Sequence, residues 1–284
     1  MPDSTEFKSK KPAYTILLSG HFGSGKTHSA LSFPKVYAIC FDPSGLDTLY
    51  KKGNEKLLEN LVWYEYIRNK SEAELQQVFK ETVNPEERFS IYGCLSHVEV
   101  LAKEKKIETL LLDGLTYFVD MRWQYINEFE EARSQKTGNL DQQAMYRALG
   151  LFLQRFIPSN ILVMATRLGL NVVMTCHLKR ESRDIVEGTE KFKAIARKVT
   201  LDSDIAPAIE GSYRNKIEGL IGASLYMDNK LGTDNKIKYQ VYCDKTIAFG
   251  TVVTGKNRYG LPAILDITAK SLYDVLKTSV DTIK

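Results

Sequence analysis

The sequence predicts an α/β fold: a mostly parallel sheet covered by helices on both faces, with β-hairpins appended at its C-terminal end. Three observations carry this. Short runs that are apolar throughout alternate with longer amphipathic helical patterns, as in a parallel sheet buried on both sides. The first such run opens straight into a glycine-rich loop and a helix. The last third of the chain changes to short strand-like runs separated by turn signals.

The elements follow in order. Tyr14–Ser19 is a compact apolar strand ending at Gly20. Val36–Phe41 is a second, ending at Asp42, and Leu61–Ile67 a third, placed nearer an edge because it carries Glu65. Thr109–Leu112 ends at Asp113, and Asn171–Cys176 ends at His177. Helical patterns lie between them over Thr27–Ser32, Ser71–Thr82, Glu87–Lys105, Thr116–Arg133 and Gln142–Phe156; Pro158 is expected to stop the last, with a short helix restarting over Ser159–Leu168. Ala223–Asp228, Lys236–Cys243 and Thr246–Val253 read as hairpin strands, and Ala269–Lys277 as a final helix. Two segments break the rhythm: a polar stretch over about Glu130–Gln142, and Leu178–Gly211, which has no sustained periodicity and reads as a long loop. Such loops inside a compact domain are usually functional.

The 284 residues, 43% hydrophobic and 26% charged, suit a globular chain and exclude a wholly disordered, collagen-like or coiled-coil one. Residues 1–13 read as a disordered tail without a signal peptide, and 14–284 as one decorated domain. The net charge of +4 permits a nucleic-acid partner without demanding one. Four well-separated cysteines, with no C-x-x-C pair, exclude a close-paired zinc site and read as reduced thiols of a cytoplasmic protein. The longest apolar stretch, Ile161–Cys176, is interrupted by Arg167 and Asn171, so no membrane association is expected.

Gly20–Thr27 reads GHFGSGKT and satisfies G-x-x-x-x-G-K-[ST] in full, after a strand and opening a helix. In such a loop the backbone N–H groups of Gly23, Ser24, Gly25 and Lys26 cradle phosphates, and the helix adds its positive end. Lys26 reaches the β and γ phosphates, and the Thr27 hydroxyl ligates Mg²⁺. Gly20 and His28 complete the expected nucleotide-binding set. Asp113, at a strand's C-terminal end, is the expected second Mg²⁺ residue; a turn-forming aspartate is its plainer reading.

These residues resemble the RecA-like ATPase core, and most closely the small phage-encoded RecA-like ATPases associated with single-strand annealing. The resemblance runs from about Tyr14 to Leu265 and rests on the order of phosphate loop, Asp42, Asp113 and His177, together with Gly255–Gly260, which reads GKNRYG and is similar to the K-N-R-F-G motif of RadA-type ATPases. It implies Mg-ATP as ligand, His177 as γ-phosphate sensor with Thr175 helping to orient it, and Lys256 and Arg258 acting in trans on a neighbouring subunit's nucleotide. It further implies a head-to-tail ring or filament, single-stranded DNA and a single-strand-binding protein as partners, and the cytoplasm, a host's if phage-encoded, as location. The sequence departs from the pattern at one place. Ser44 stands about where the resemblance puts a water-polarising glutamate, and a hydroxyl is a poor general base. Asp42 and Asp47 are both candidates to replace it.

The segment after His177 carries seven basic and four acidic residues from Leu178 to Lys198, before Asp202, Asp204 and Glu210 bring the whole to neutrality. Lys179, Arg180, Arg183, Lys191, Lys193, Arg197 and Lys198 are the expected phosphate contacts on single-stranded DNA, with Phe192 available to stack a base. A solvated basic loop reads the same way, as does a solvated basic turn at Lys256 and Arg258 and a carbonyl-bonded strand-end residue at His177. Three functions are open at this point: a DNA-dependent ATPase, a nucleotide-gated single-strand-binding or annealing protein with little turnover, and a small-molecule kinase using Lys179–Arg183 as a lid.

Overall fold

A computed structural model of the chain describes residues 13–42, 44–50, 54–67, 71–129, 141–187, 197–209, 213–244, 246–248, 251–253 and 255–283. Its elements, in chain order, are β1 (Thr15–Gly20), α1 (Lys26–Ala30), β2 (Val36–Cys40), a 3₁₀ turn (Gly45–Tyr50), α2 (Glu55–Asn60), β3 (Leu61–Tyr66), α3 (Glu72–Val78), α4 (Ile91–Lys103), β4 (Thr109–Asp113), α5 (Leu115–Phe129) and α6 (Gln142–Arg155). A π-helical segment (Phe156–Leu162) leads into α7 (Val163–Leu168). Then come β5 (Asn171–Cys176), β6 (Leu178–Glu187), β7 (Arg197–Pro207), α8 (Tyr213–Leu220), β8 (Ala223–Leu231), β9 (Ile237–Tyr242), β10 (Thr246–Ala248), β11 (Thr251–Val253), β12 (Lys256–Asn257), β13 (Ile264–Asp266) and α9 (Leu272–Ile283).

The main sheet runs β13-β9-β8-β1-β5-β4-β2-β3, with β12 paired to β8. The first-predicted strands β1, β2, β3, β4 and β5 are mutually parallel, and β8 joins β1 in parallel too. The antiparallel part is the β8–β9 hairpin with β12 and β13 beside it. β3 is the terminal strand on its side, as its Glu65 predicts, and leaves Val62, Trp63 and Tyr64 exposed.

Side-chain alternation explains why the central strands read as unbroken apolar runs. Leu17, Tyr37, Ile39, Leu110, Leu112, Val172 and Met174 point into one core, against α3 to α7. Their neighbours Ile16, Leu18, Val36, Ala38, Cys40, Leu111 and Val173 point into the other, against α1 and α9. Both faces are covered, so neither parity is polar.

Three expectations change. The helix does not stop at Pro158: the backbone widens to i→i+5 bonding, with Val163 N–H donating to the Pro158 carbonyl, and the run continues to Leu168. The wider turn accommodates both the missing N–H and the ring, which an α-turn cannot. The run Gln142–Leu168 is long and apolar enough to cross a bilayer, but Met145, Leu149, Leu153, Phe156, Ile157 and Ile161 along it are buried in the core. Leu178–Gly211 is largely a two-stranded antiparallel ribbon of β6 and β7, from Leu178↔Pro207 to Glu187↔Arg197, with a register shift at Glu181/Ser182. Thr246–Val253 is two strands, β10 and β11, paired as their own small ribbon. The segment Glu130–Leu140, the N-terminal tail, and Lys191, Phe192 and Lys193 lie outside the described residues.

All four cysteines are free and buried. Burial pushes each thiol up, Cys176 to about 11 and Cys243 to about 12, from the ordinary 9.0. A folded pKa above the unfolded one gives stability that is present below pH 9 and lost as pH rises through the folded values. The melting temperature is expected to hold to about pH 9 and fall beyond it. A thiol reagent is expected to label none of the four cysteines in the native protein and all four after denaturation.

Candidate nucleotide site

The site lies at the C-terminal ends of β1, β2, β4 and β5, where parallel strands leave their last residues in a common crevice. Gly20–Lys26 wraps the start of α1. Gly23 and Gly25 hold φ of 75° and 87°, the left-handed region that glycine tolerates and other residues resist. A side chain on Gly25 would also press on the Tyr239 ring, 3.1 Å away. The Lys26 ammonium donates to the carbonyls of Gly20 (2.9 Å) and His21 (2.8 Å), inside its own loop. Burial lowers its pKa, opposed by the negative charge of Asp113.

Below the loop, Thr27 Oγ1 donates to both Asp113 oxygens, at 3.1 and 3.2 Å. Thr175 Oγ1, from the adjacent strand, donates to Asp113 Oδ1 at 2.6 Å and accepts from Gly114 N at 2.8 Å. Burial raises the Asp113 pKa, while both threonine hydrogen bonds pull it down. Thr175 thus orients Asp113, a role the resemblance does not give it. The backbone N–H of His177 is held instead by Thr116 Oγ1 at 3.0 Å.

His177 stands at the end of β5 with its ring 4.1 Å from the exposed Phe22 of the phosphate loop and 5.6 Å from Tyr117. Burial and the neighbouring Lys26 charge lower its pKa, so the ring is neutral at pH 7. Its Nδ1 is buried and has no hydrogen-bond partner among the described residues, and neither has Ser24 Oγ in the loop. The next residue starts the β6–β7 ribbon, and Ala208 N–H closes the ribbon's root on the His177 carbonyl at 2.7 Å.

A cavity of about 860 Å³ joins these groups, within the size range of small-ligand sites. From Lys26, Thr27, Asp113 and His177 it extends along α1 to Asn60 and to the Ile267–Asp274 segment before and within α9. Its far wall was not legible in the sequence, where Ala269–Lys277 read as a helix; the helix begins instead at Leu272, and Ile267–Ser271 are free to line the cavity. Two further residues of the β8–β9 hairpin reach the loop without any sequence signal: Asn229 Nδ2 donates to the Gly23 carbonyl at 3.0 Å, and Tyr239 packs on Gly25.

The residues fit a nucleotide with Mg²⁺. Thr27 and Asp113 converge as hard oxygen donors on the wall of the cavity that Lys26 also lines. Among the described residues no cluster of three or more His, Cys, Asp or Glu could hold a metal by itself. A shared protein–phosphate ion needs no such cluster.

Lys256 and Arg258 are not brought to this cavity. The Lys256 ammonium donates to the carbonyls of Glu218 and Gly219, both at 2.7 Å, capping the C-terminal end of α8. Asn257 closes a turn through two bonds to the Leu261 backbone, and Tyr259 OH accepts from Thr15 N at 2.8 Å beside Gly222. Arg258 is exposed. Of the expected DNA contacts, Lys179, Arg180 and Arg183 lie on β6, and Arg197 and Lys198 on β7.

Residues 13–259 match the AAA domain family. No curated protein matches the chain. Similar solved structures include a KaiC-like protein of the archaeon Pyrococcus horikoshii (11% identity, 89% of this chain and 95% of that one, TM-score 0.37). They also include the flagellar accessory protein FlaH of Methanocaldococcus jannaschii (11%, 82% and 79%, 0.36) and the RadB recombinase (12%, 86% and 86%, 0.36).

Proposed function

The chain belongs to the AAA domain family, and from that premise we propose that it is an ATPase of the RecA-like type, acting on single-stranded DNA in recombination or annealing, as phage-encoded proteins of that type do. The observation that carries the reading is the continuity from Asp113 through Thr175 and His177 into the β6–β7 ribbon. Thr175 bonds Asp113, and His177, two residues on, roots β6. A change at the phosphates therefore has a covalent route of two residues to the strands that carry Lys179, Arg180 and Arg183.

In this reading the loop N–H groups and Lys26 bind the phosphates. Thr27 and Asp113 hold Mg²⁺, whose charge offsets that of the phosphates when it is bound. His177, which lines the cavity and roots β6, is the residue placed to sense the γ phosphate. Arg258 of one subunit reaches the nucleotide of the next, which demands a head-to-tail contact and a ring or filament. The test is phosphate release from ATP with and without single-stranded DNA, beside a Lys26→Ala control. DNA stimulation that the control abolishes supports the proposal. ATP-dependent DNA binding with no release above the control supports the second reading, a nucleotide-gated annealing protein. One observation favours that reading: an exposed serine, Ser44, stands where the glutamate is expected, and a hydroxyl is a poor general base. Absence of both DNA effects rejects the two together.

A further inference from the structure

We infer that Asp42 is the catalytic carboxylate that orients the attacking water and takes its proton, and that Ser44 is its positioning residue; this rests on the ATPase reading above. Asp42 follows β2 directly, and β2 is pinned to β4 at that end by Phe41 N–H donating to the Asp113 carbonyl at 2.8 Å. Gly114, with φ of 91°, lets the two strand ends close on each other: a Cβ there would lie 2.9 Å from Asp42 N and 3.0 Å from Asp42 Cβ. Asp42 consequently lines the same cavity as Lys26, Thr27, Asp113 and His177. Its negative charge is felt at Lys26, at Asp113 and at His177.

The side chain is held in one orientation. Ser44 N–H and Ser44 Oγ both donate to Asp42 Oδ1, at 2.8 and 2.9 Å. No described residue donates to Oδ2, which leaves that oxygen as an acceptor for water. A serine at this position cannot itself be the base, but it can fix the base two residues before it. Asp47, the other carboxylate near the expected position, is exposed on the 3₁₀ turn and does not line the cavity.

The step balances without a further reactant. The water oxygen bonds to the γ phosphorus, the bond from phosphorus to the bridging oxygen breaks with its electron pair leaving on ADP, and the water proton passes to Asp42 Oδ2. Orthophosphate is released and the carboxyl returns its proton to solvent.

The experiment compares wild type, Asp42→Asn, Asp47→Asn and the double variant Asp42→Asn/Ser44→Glu, reading affinity for a fluorescent ATP analogue and phosphate release separately. Asparagine keeps an acceptor for Ser44. Asp42→Asn is therefore expected to bind the analogue nearly as wild type does, while release falls by about 10²- to 10⁴-fold, the usual worth of a general base. Asp47→Asn is expected to match wild type in both. Ser44→Glu on the Asp42→Asn background is expected to recover part of the release, because it puts a carboxylate back at the strand end. Asp42→Asn with wild-type release overturns the inference. So does equal loss of binding and release, which marks a merely structural residue. A wild-type protein that binds ATP yet releases no phosphate above Lys26→Ala also overturns it while nucleotide binding stands. A wild type that does not bind the analogue overturns the ATPase reading itself.

Discussion

Lys26→Ala is expected to reduce phosphate release to background and to weaken nucleotide binding, with little change in melting temperature. Lys26 is 9% exposed, its ammonium lies between two carbonyls of its own loop, and it lines the cavity where a nucleotide would bind. Removing one preorganised charge from such a site typically costs about 10²- to 10³-fold in rate, and here the same charge also holds the ligand. Stability behaves differently. Burial already lowers the Lys26 pKa, so the charged form is held against a desolvation cost in the folded protein. Truncation removes that cost together with the two hydrogen bonds, and the terms oppose each other. Calorimetry beside a phosphate-release assay checks both halves. A variant that melts many degrees lower has lost its fold, and one that releases phosphate normally places the chemistry elsewhere.

The parts of this site that were legible in the sequence are those whose physics is local. The phosphate loop needs glycines at fixed positions because Gly23 and Gly25 sit at positive φ, and a spacing pattern records that. Asp113 was legible because a wholly apolar strand ends on it. The Thr175–Asp113 bond was not, because it joins neighbouring strands 62 residues apart. The β6–β7 ribbon was illegible for a different reason. Its charges fall at both parities along β6, with Lys179, Glu181 and Arg183 on one and Arg180 and Asp184 on the other, so no period of two separates an apolar face. The α2 helix has a single buried residue, Leu57, and so no amphipathic stripe. In the GKNRYG segment the sequence marks an unusual cluster of polar residues but not their division of labour. Lys256 caps α8, Asn257 closes a turn, Tyr259 bonds Thr15, and the exposed Arg258 remains.

Arg258→Ala is expected to lower phosphate release by about 10³- to 10⁵-fold, the usual effect of removing an arginine that completes a neighbour's site. Its fold is expected to be unchanged, because the side chain is exposed and its backbone N–H bond to the Gly222 carbonyl survives the substitution. Lys256→Ala is expected to do the reverse: to lower the melting temperature, since it uncaps α8, and to reduce release only as far as the fold loosens. Mixing decides whether Arg258 works in trans. In a one-to-one mixture of Lys26→Ala and Arg258→Ala subunits assembled at random head to tail, about one interface in four pairs an intact phosphate loop with an intact Arg258, as a heterologous contact allows. Release is then expected to recover to about a quarter of wild type, although each variant alone is inactive. Without recovery in a mixture shown to co-assemble, Arg258 has no part in a neighbour's site, and the head-to-tail assembly loses its chemical reason.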